Sequence, residues 1–71
     1  MSLLYDLIFE MKTELTQDKQ LNVELPDGLG SIIRTEDKIA CYNDIMIIRR
    51  GEYECLIPLE KILRVRSEPK C

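Results

Sequence analysis

Arginine, tyrosine and carboxylate side chains are the groups in this chain that could do chemistry, and their spacing points to binding rather than catalysis. Arg34, Arg49, Arg50, Arg64 and Arg66 all fall after residue 30 of the 71-residue sequence. Guanidinium groups suit phosphate contacts, and Tyr42 or Tyr53 could stack on a base. The competing use of the same arginines is pairing across strands with Glu52, Glu54 and Glu60. The carboxylate pairs Glu36-Asp37 and Glu52-Glu54 could in principle hold a cation, but they fall where turns place solvated charge.

Enzymatic chemistry has little to work with. The chain has no histidine, no glycine-rich phosphate loop and no nucleophile with a base at a motif spacing. Gly28-Leu29-Gly30 reads as a hairpin corner. Cys41, Cys55 and Cys71 are an odd set with no close pair, which argues against a disulfide framework and a zinc site. Cys41 and Cys55 are expected as small core residues, the alternative being a redox pair, and Cys71 as a loose tail thiol. No catalytic residue, metal or cofactor is expected.

Net charge is −3, unevenly placed. Residues 1–30 hold two basic and six acidic side chains, and residues 31–71 hold eight and seven. Neither half carries the strong positive field on which non-specific nucleic-acid binding depends. With 45% apolar and 32% charged residues the composition is that of one small folded domain. No apolar run approaches the roughly 20 residues of a spanning helix. The N-terminus lacks a basic start, so it does not read as a signal peptide, and a cytoplasmic location with no membrane association is expected.

The elements that must position these groups follow from periodicity. At helical spacing Leu4, Leu7, Ile8, Met11 and Leu15 share one stripe opposite Asp6, Glu10 and Thr13, which predicts a helix over 2–16 with Ser2 as N-cap. Tyr5 and Phe9, four apart, lie on a flank that either widens the buried face or, with the acidic helix, docks a protein partner. From Leu21 the period becomes two, and strands are expected at 21–25, 31–35, 39–42, 45–49, 53–57 and 62–65, with corners at Pro26-Asp27-Gly28, Glu36-Asp37-Lys38, Asn43-Asp44 and around Gly51. Ile45 to Ile48 is apolar on both faces, as in a central strand or one buried in an assembly. Pro58 cannot donate to a ladder and marks an edge or bend. Residues 67–71 are expected as a frayed tail.

That order of a helix and short strands, with Asp44 before a β-branched strand and a closing Ile57-Pro-Leu-Glu-Lys-Ile62-Leu-Arg-Val65, resembles the Sm/LSm family, including its bacterial relative Hfq. The resemblance covers nearly the whole chain as a pattern. It implies a mainly β fold, an N-terminal helix followed by a five-stranded, strongly bent antiparallel Sm-like or SH3-like barrel over 21–66, in one domain. Pro58 and Leu59 stand where that family carries the arginine and glycine of its uridine pocket, and Ile48 stands in the place of its asparagine. The Lys-His pair of Hfq-type proteins and the glycine of the bent second strand are absent.

Two functions are expected from this reading. The first is a non-enzymatic ring of identical subunits that associates with RNA through Tyr42, Arg49, Arg50, Arg64 and Arg66. The second is a protein-interaction or assembly module that binds no nucleic acid. Both predict a homo-oligomer, with Ile45, Ile47, Ile48, Tyr53 and Leu56 at the interface, since a chain this short without staples is helped by a partner surface.

Overall fold

The computed structural model describes residues 3–28 and 30–70. Helix α1 (Leu3–Thr13) is followed by strands β1 (Lys19–Glu24), β2 (Ser31–Ile33), β3 (Lys38–Tyr42), β4 (Ile45–Arg50) and β5 (Tyr53–Pro58), a 3-10 turn (Leu59–Lys61), and β6 (Arg64–Pro69). The strands form two three-stranded antiparallel sheets, in the orders β2-β1-β6 and β3-β4-β5. The chain is mainly β with one helix, but neither sheet closes, and this corrects the expected five-stranded barrel.

The physical reason lies at residues 34–37. A barrel of the expected kind needs one long strand that bends from sheet to sheet, and this chain has no glycine there to let it curve. The chain breaks instead. The Arg34 N–H donates to Asp37 Oδ2 at 2.8 Å and the Asp37 N–H donates to the Arg34 carbonyl at 3.1 Å, so a turn fixed by an Asx contact separates β2 from β3. Pro58 and the 3-10 turn make a similar break between β5 and β6.

Two tight hairpins set the register of the second sheet. Asn43 and Asp44 both have positive φ, 50° and 62°, between the paired residues Tyr42 and Ile45, the pattern of a type I′ turn that suits Asn and Asp. Gly51, at φ 58°, opens the two-residue turn between Arg50 and Tyr53. β4 is the central strand.

A single core lies between the sheets and under the helix, built from Ile8, Leu21, Val23, Ile33, Met46, Ile48, Ile57 and Leu59. The helix ends at Thr13 rather than 16, and its buried stripe is turned from the expected one. Leu7 is 51% exposed while Tyr5 packs against the core and donates its hydroxyl to the Ile39 carbonyl at 3.3 Å. Lys12 donates to the Thr35 carbonyl. Residues 67–69, expected to fray, pair with Lys19–Leu21. The expected cap Ser2 and tail thiol Cys71 lie outside the described residues.

Candidate functional site

In an antiparallel ladder directly opposed residues share a face, so register assigns every side chain of the second sheet. Met46 and Ile48 are buried, and the rows Cys41-Met46-Ile57 and Ile39-Ile48-Cys55 therefore face the core. The rows Tyr42-Ile45-Pro58 and Ala40-Ile47-Leu56 face outward, ending in Lys38-Arg49-Glu54. The outer face is thus apolar across three strands, with Tyr42 71% and Leu56 59% exposed. Asp44 and Glu60 stand beside Ile45 and Pro58 at one end, and Lys38 and Arg49 beside Ile47 at the other.

The first sheet is built the other way. Leu21 and Val23 are buried, which turns Gln20, Asn22, Glu24, Arg64, Arg66 and Glu68 outward, with Ile32 opposite Asn22 as an apolar member. Glu68 Oε1 accepts from the side-chain amides of Gln20 and Asn22 at 3.2 and 3.3 Å. That face is polar, and three of its side chains bond one another.

Among the described residues one charge is buried, between the sheets. Asp37 is 1% exposed and accepts a bidentate fork from Arg50, Nε to Oδ1 and Nη2 to Oδ2, both at 2.7 Å. Nη2 also donates to the Ile32 carbonyl at 3.2 Å. Burial alone would raise the Asp37 pKa, but the bonds from Arg50 and from the Arg34 N–H outweigh it and hold the carboxyl below its ordinary value. The same hydrogen bond to Asp37 raises Arg50 above its own. A carboxylate so held is a poor proton acceptor, and the pair works as a clamp that ties the end of β4 to β2 and to the turn beyond it.

The five side chains expected at RNA do not form one site. Tyr42 and Arg49 are on the outer face of the second sheet and Arg64 and Arg66 on that of the first. Arg50 is turned inward onto Asp37, and Arg49 is paired with Glu54 at 2.8 Å. Of the residues expected at an interface, Ile45, Ile47 and Leu56 share the apolar outer face, whereas Ile48 is in the core and Tyr53 lies on the core-facing side. Ala40 and Pro58 complete the patch, and period-two alternation within 38–42 was the signal for Ala40.

Cys41 and Cys55 correct a further expectation. Both point to the core side but belong to the edge strands β3 and β5, which among the described residues have a paired strand on one side alone, and both are exposed free thiols. One strand lies between them, a lateral gap of about 10 Å, beyond the reach of a disulfide. Among the described residues no group of three or more Cys, Asp or Glu is placed to hold a metal ion, and no helix is long and apolar enough to cross a membrane. No protein-family model, curated protein or solved structure matches this chain.

Proposed function

We propose that this protein is a non-catalytic assembly module that associates with a second copy of itself through the outer face of the β3-β4-β5 sheet. The observation that carries the reading is the apolar character of that face, Ala40, Tyr42, Ile45, Ile47, Leu56 and Pro58, beside a first sheet whose outer face is polar. An antiparallel sheet with one solvated side ordinarily puts polar residues there, and an apolar patch rimmed by charge marks an interaction site. The rim holds both signs, Lys38 and Arg49 against Asp44, Glu54 and Glu60, which suits a self-complementary contact. An isologous contact uses the same patch on both copies and stops at two.

A face three strands wide and six residues long measures about 14 by 20 Å, roughly 280 Å², well short of the roughly 800 Å² per partner of a standard interface. Association is therefore weak and concentration-dependent. RNA association has less support, because the five candidate side chains are dispersed, two guanidinium groups are committed to carboxylates and the net charge is −3. A cytoplasmic setting belongs to the same reading, since exposed free thiols suit a reducing compartment.

Light scattering on untagged protein over a wide concentration range tests this, with the ultraviolet absorbance of the peak read for co-purifying nucleic acid. A dimer mass at high concentration that falls to the monomer in Ile47→Lys, with a nucleic-acid-free peak, is the expected result. A monomer at every concentration removes the self-association reading, and nuclease-sensitive absorbance travelling with the peak returns the function to RNA.

A further inference from the structure

The outer face of the second sheet is uneven. Tyr42 is the largest side chain of its two apolar rows and is 71% exposed, while Ala40, two residues back on the same strand, is the smallest. Beside Ala40 the surface dips into a hollow of about 280 Å³, with Ile47, Lys38 and Arg49 on its rim. Residues two apart on a strand share a face and stand about 6.6 Å from each other, so the ring and the hollow belong to adjacent rows, Tyr42-Ile45-Pro58 and Ala40-Ile47-Leu56. Each copy therefore carries a knob and a hole on one face, as a self-complementary contact requires.

The two ends of the face differ in charge. Lys38 and Arg49 outnumber Glu54 at one end, and Asp44 and Glu60 outnumber Lys61 at the other. Sheets packed face to face in the aligned manner keep their strands within about 30° of each other, which leaves two kinds of two-fold pair. With the axis along β4 the strands of the two copies run parallel and β3 lies on β5 of the second copy. Tyr42 then meets Pro58, Ala40 meets Leu56, and each charged end meets its own kind. With the axis across the strands, between the two apolar rows, the strands run antiparallel and β3 lies on β3 of the second copy. Tyr42 then stands over Ala40, Ile45 over Ile47 and Pro58 over Leu56, and Lys38 reaches the level of Asp44.

We infer that the two copies pack antiparallel and that Tyr42 of each seats in the hollow beside Ala40 of the other; this rests on the self-association proposed above and adds its geometry. Both apolar rows are covered in either arrangement, so shape and charge make the choice. Only the antiparallel pair sets the largest side chain on the smallest and brings ends of opposite sign together. The hollow buries the ring, and Lys38 and Arg49 on its rim suit the negative face of an aromatic group. A small contact then gains its selectivity from one aromatic anchor used twice.

The test uses the full chain at NMR concentration, with labelled and unlabelled copies mixed and the spectrum filtered for contacts between copies. A contact from the Tyr42 ring to the Ala40 methyl is expected. A contact from that ring to Pro58 would mean the parallel pair and would overturn the antiparallel one while leaving self-association in place. Variants give a second reading through the dimer dissociation constant. Tyr42→Ala empties the hollow and Ala40→Tyr sets two rings against each other, and each is expected to weaken association about tenfold. Combining them exchanges knob and hole, and is expected to bring the constant back to within about threefold of the wild type. If Tyr42→Ala leaves the constant unchanged while Ile47→Lys abolishes the dimer, the seat is wrong and the outer-face contact stands. A wild-type chain that is monomeric at every concentration overturns both.

Discussion

The two sheets share a core and differ on their outer faces, and the difference separates the apolar residues that burial in the core explains from those that it does not. On the first sheet the outward positions are Gln20, Asn22, Glu24, Arg64, Arg66 and Glu68, and the amides of Gln20 and Asn22 bond Glu68. On the second they are Tyr42, Ile45, Pro58, Ala40, Ile47 and Leu56 before charge appears at Lys38, Arg49 and Glu54. The inward rows of both are the same kind of residue, Leu21, Val23 and Ile33 against Met46, Ile48 and Ile57. Burial in one core accounts for the inward rows, and it leaves the apolar outer face of the second sheet without a folding role.

The largest effect is expected where the two sheets are joined. Asp37→Ala removes the buried carboxylate and leaves Arg50, which is 39% exposed at its side chain, free to turn to water, so the cost should fall near the low end for a broken buried pair, about 3 kcal/mol. Urea unfolding at neutral pH measures it. The pair also makes stability depend on pH. Because the folded Asp37 titrates below its ordinary value, its contribution is complete above the unfolded pKa near 4 and is lost as pH falls through the lower folded value. The wild type should therefore lose stability below about pH 4 more steeply than Asp37→Ala, and parallel acid-unfolding curves would show that the clamp is not coupled to folding.

A charge placed on each outer face sharpens the contrast itself. Ile47→Lys should weaken self-association by tenfold or more, which corresponds to about 1.4 kcal/mol, whereas Asn22→Lys on the first sheet should leave the mass distribution unchanged. Equal effects from the two would mean that the faces are not different in use. A smaller change is expected at Gly30, where φ is 68° and an added Cβ would lie 3.1 Å from the Val23 carbonyl oxygen. Gly30→Ala should cost about 1 kcal/mol in thermal unfolding through strain at positive φ. The smallest change should come from Arg66→Ala, an exposed substitution on the polar face, within about 0.5 kcal/mol and with no effect on mass.

Much of this architecture was legible one element at a time. Period-two alternation located the strands to within a few residues, and Asn43-Asp44 and Gly51 marked both hairpins because their turns need positive φ. The end of the chain was misjudged, since nothing in Arg66-Ser67-Glu68-Pro69 announces a strand and its order comes from pairing with β1. The cysteines were misjudged for a related reason: Cys41 and Cys55 do alternate toward the core, but burial depends on whether a strand has neighbours on both sides. Of the residues expected at an interface, Ile45, Ile47 and Leu56 share the apolar outer face, while Ile48 and Tyr53 could not be told apart from them without the register.

Local spacing along the sequence determined the helix, the first five strands and the turns, because a periodicity of 3.6 or 2 and a preference for positive φ are properties of neighbouring residues. Whether the strands closed into a barrel or lay in two sheets, which arginines were free and which face was left bare were decided by the tertiary structure. Those outcomes depend on pairings between distant residues, Asp37 with Arg50, β1 with β6 and β3 with β4. Where the sheets meet, a buried carboxylate must find its guanidinium or pay the cost of desolvation alone, and that long-range requirement is what turned Arg50 from a surface cation into part of the frame.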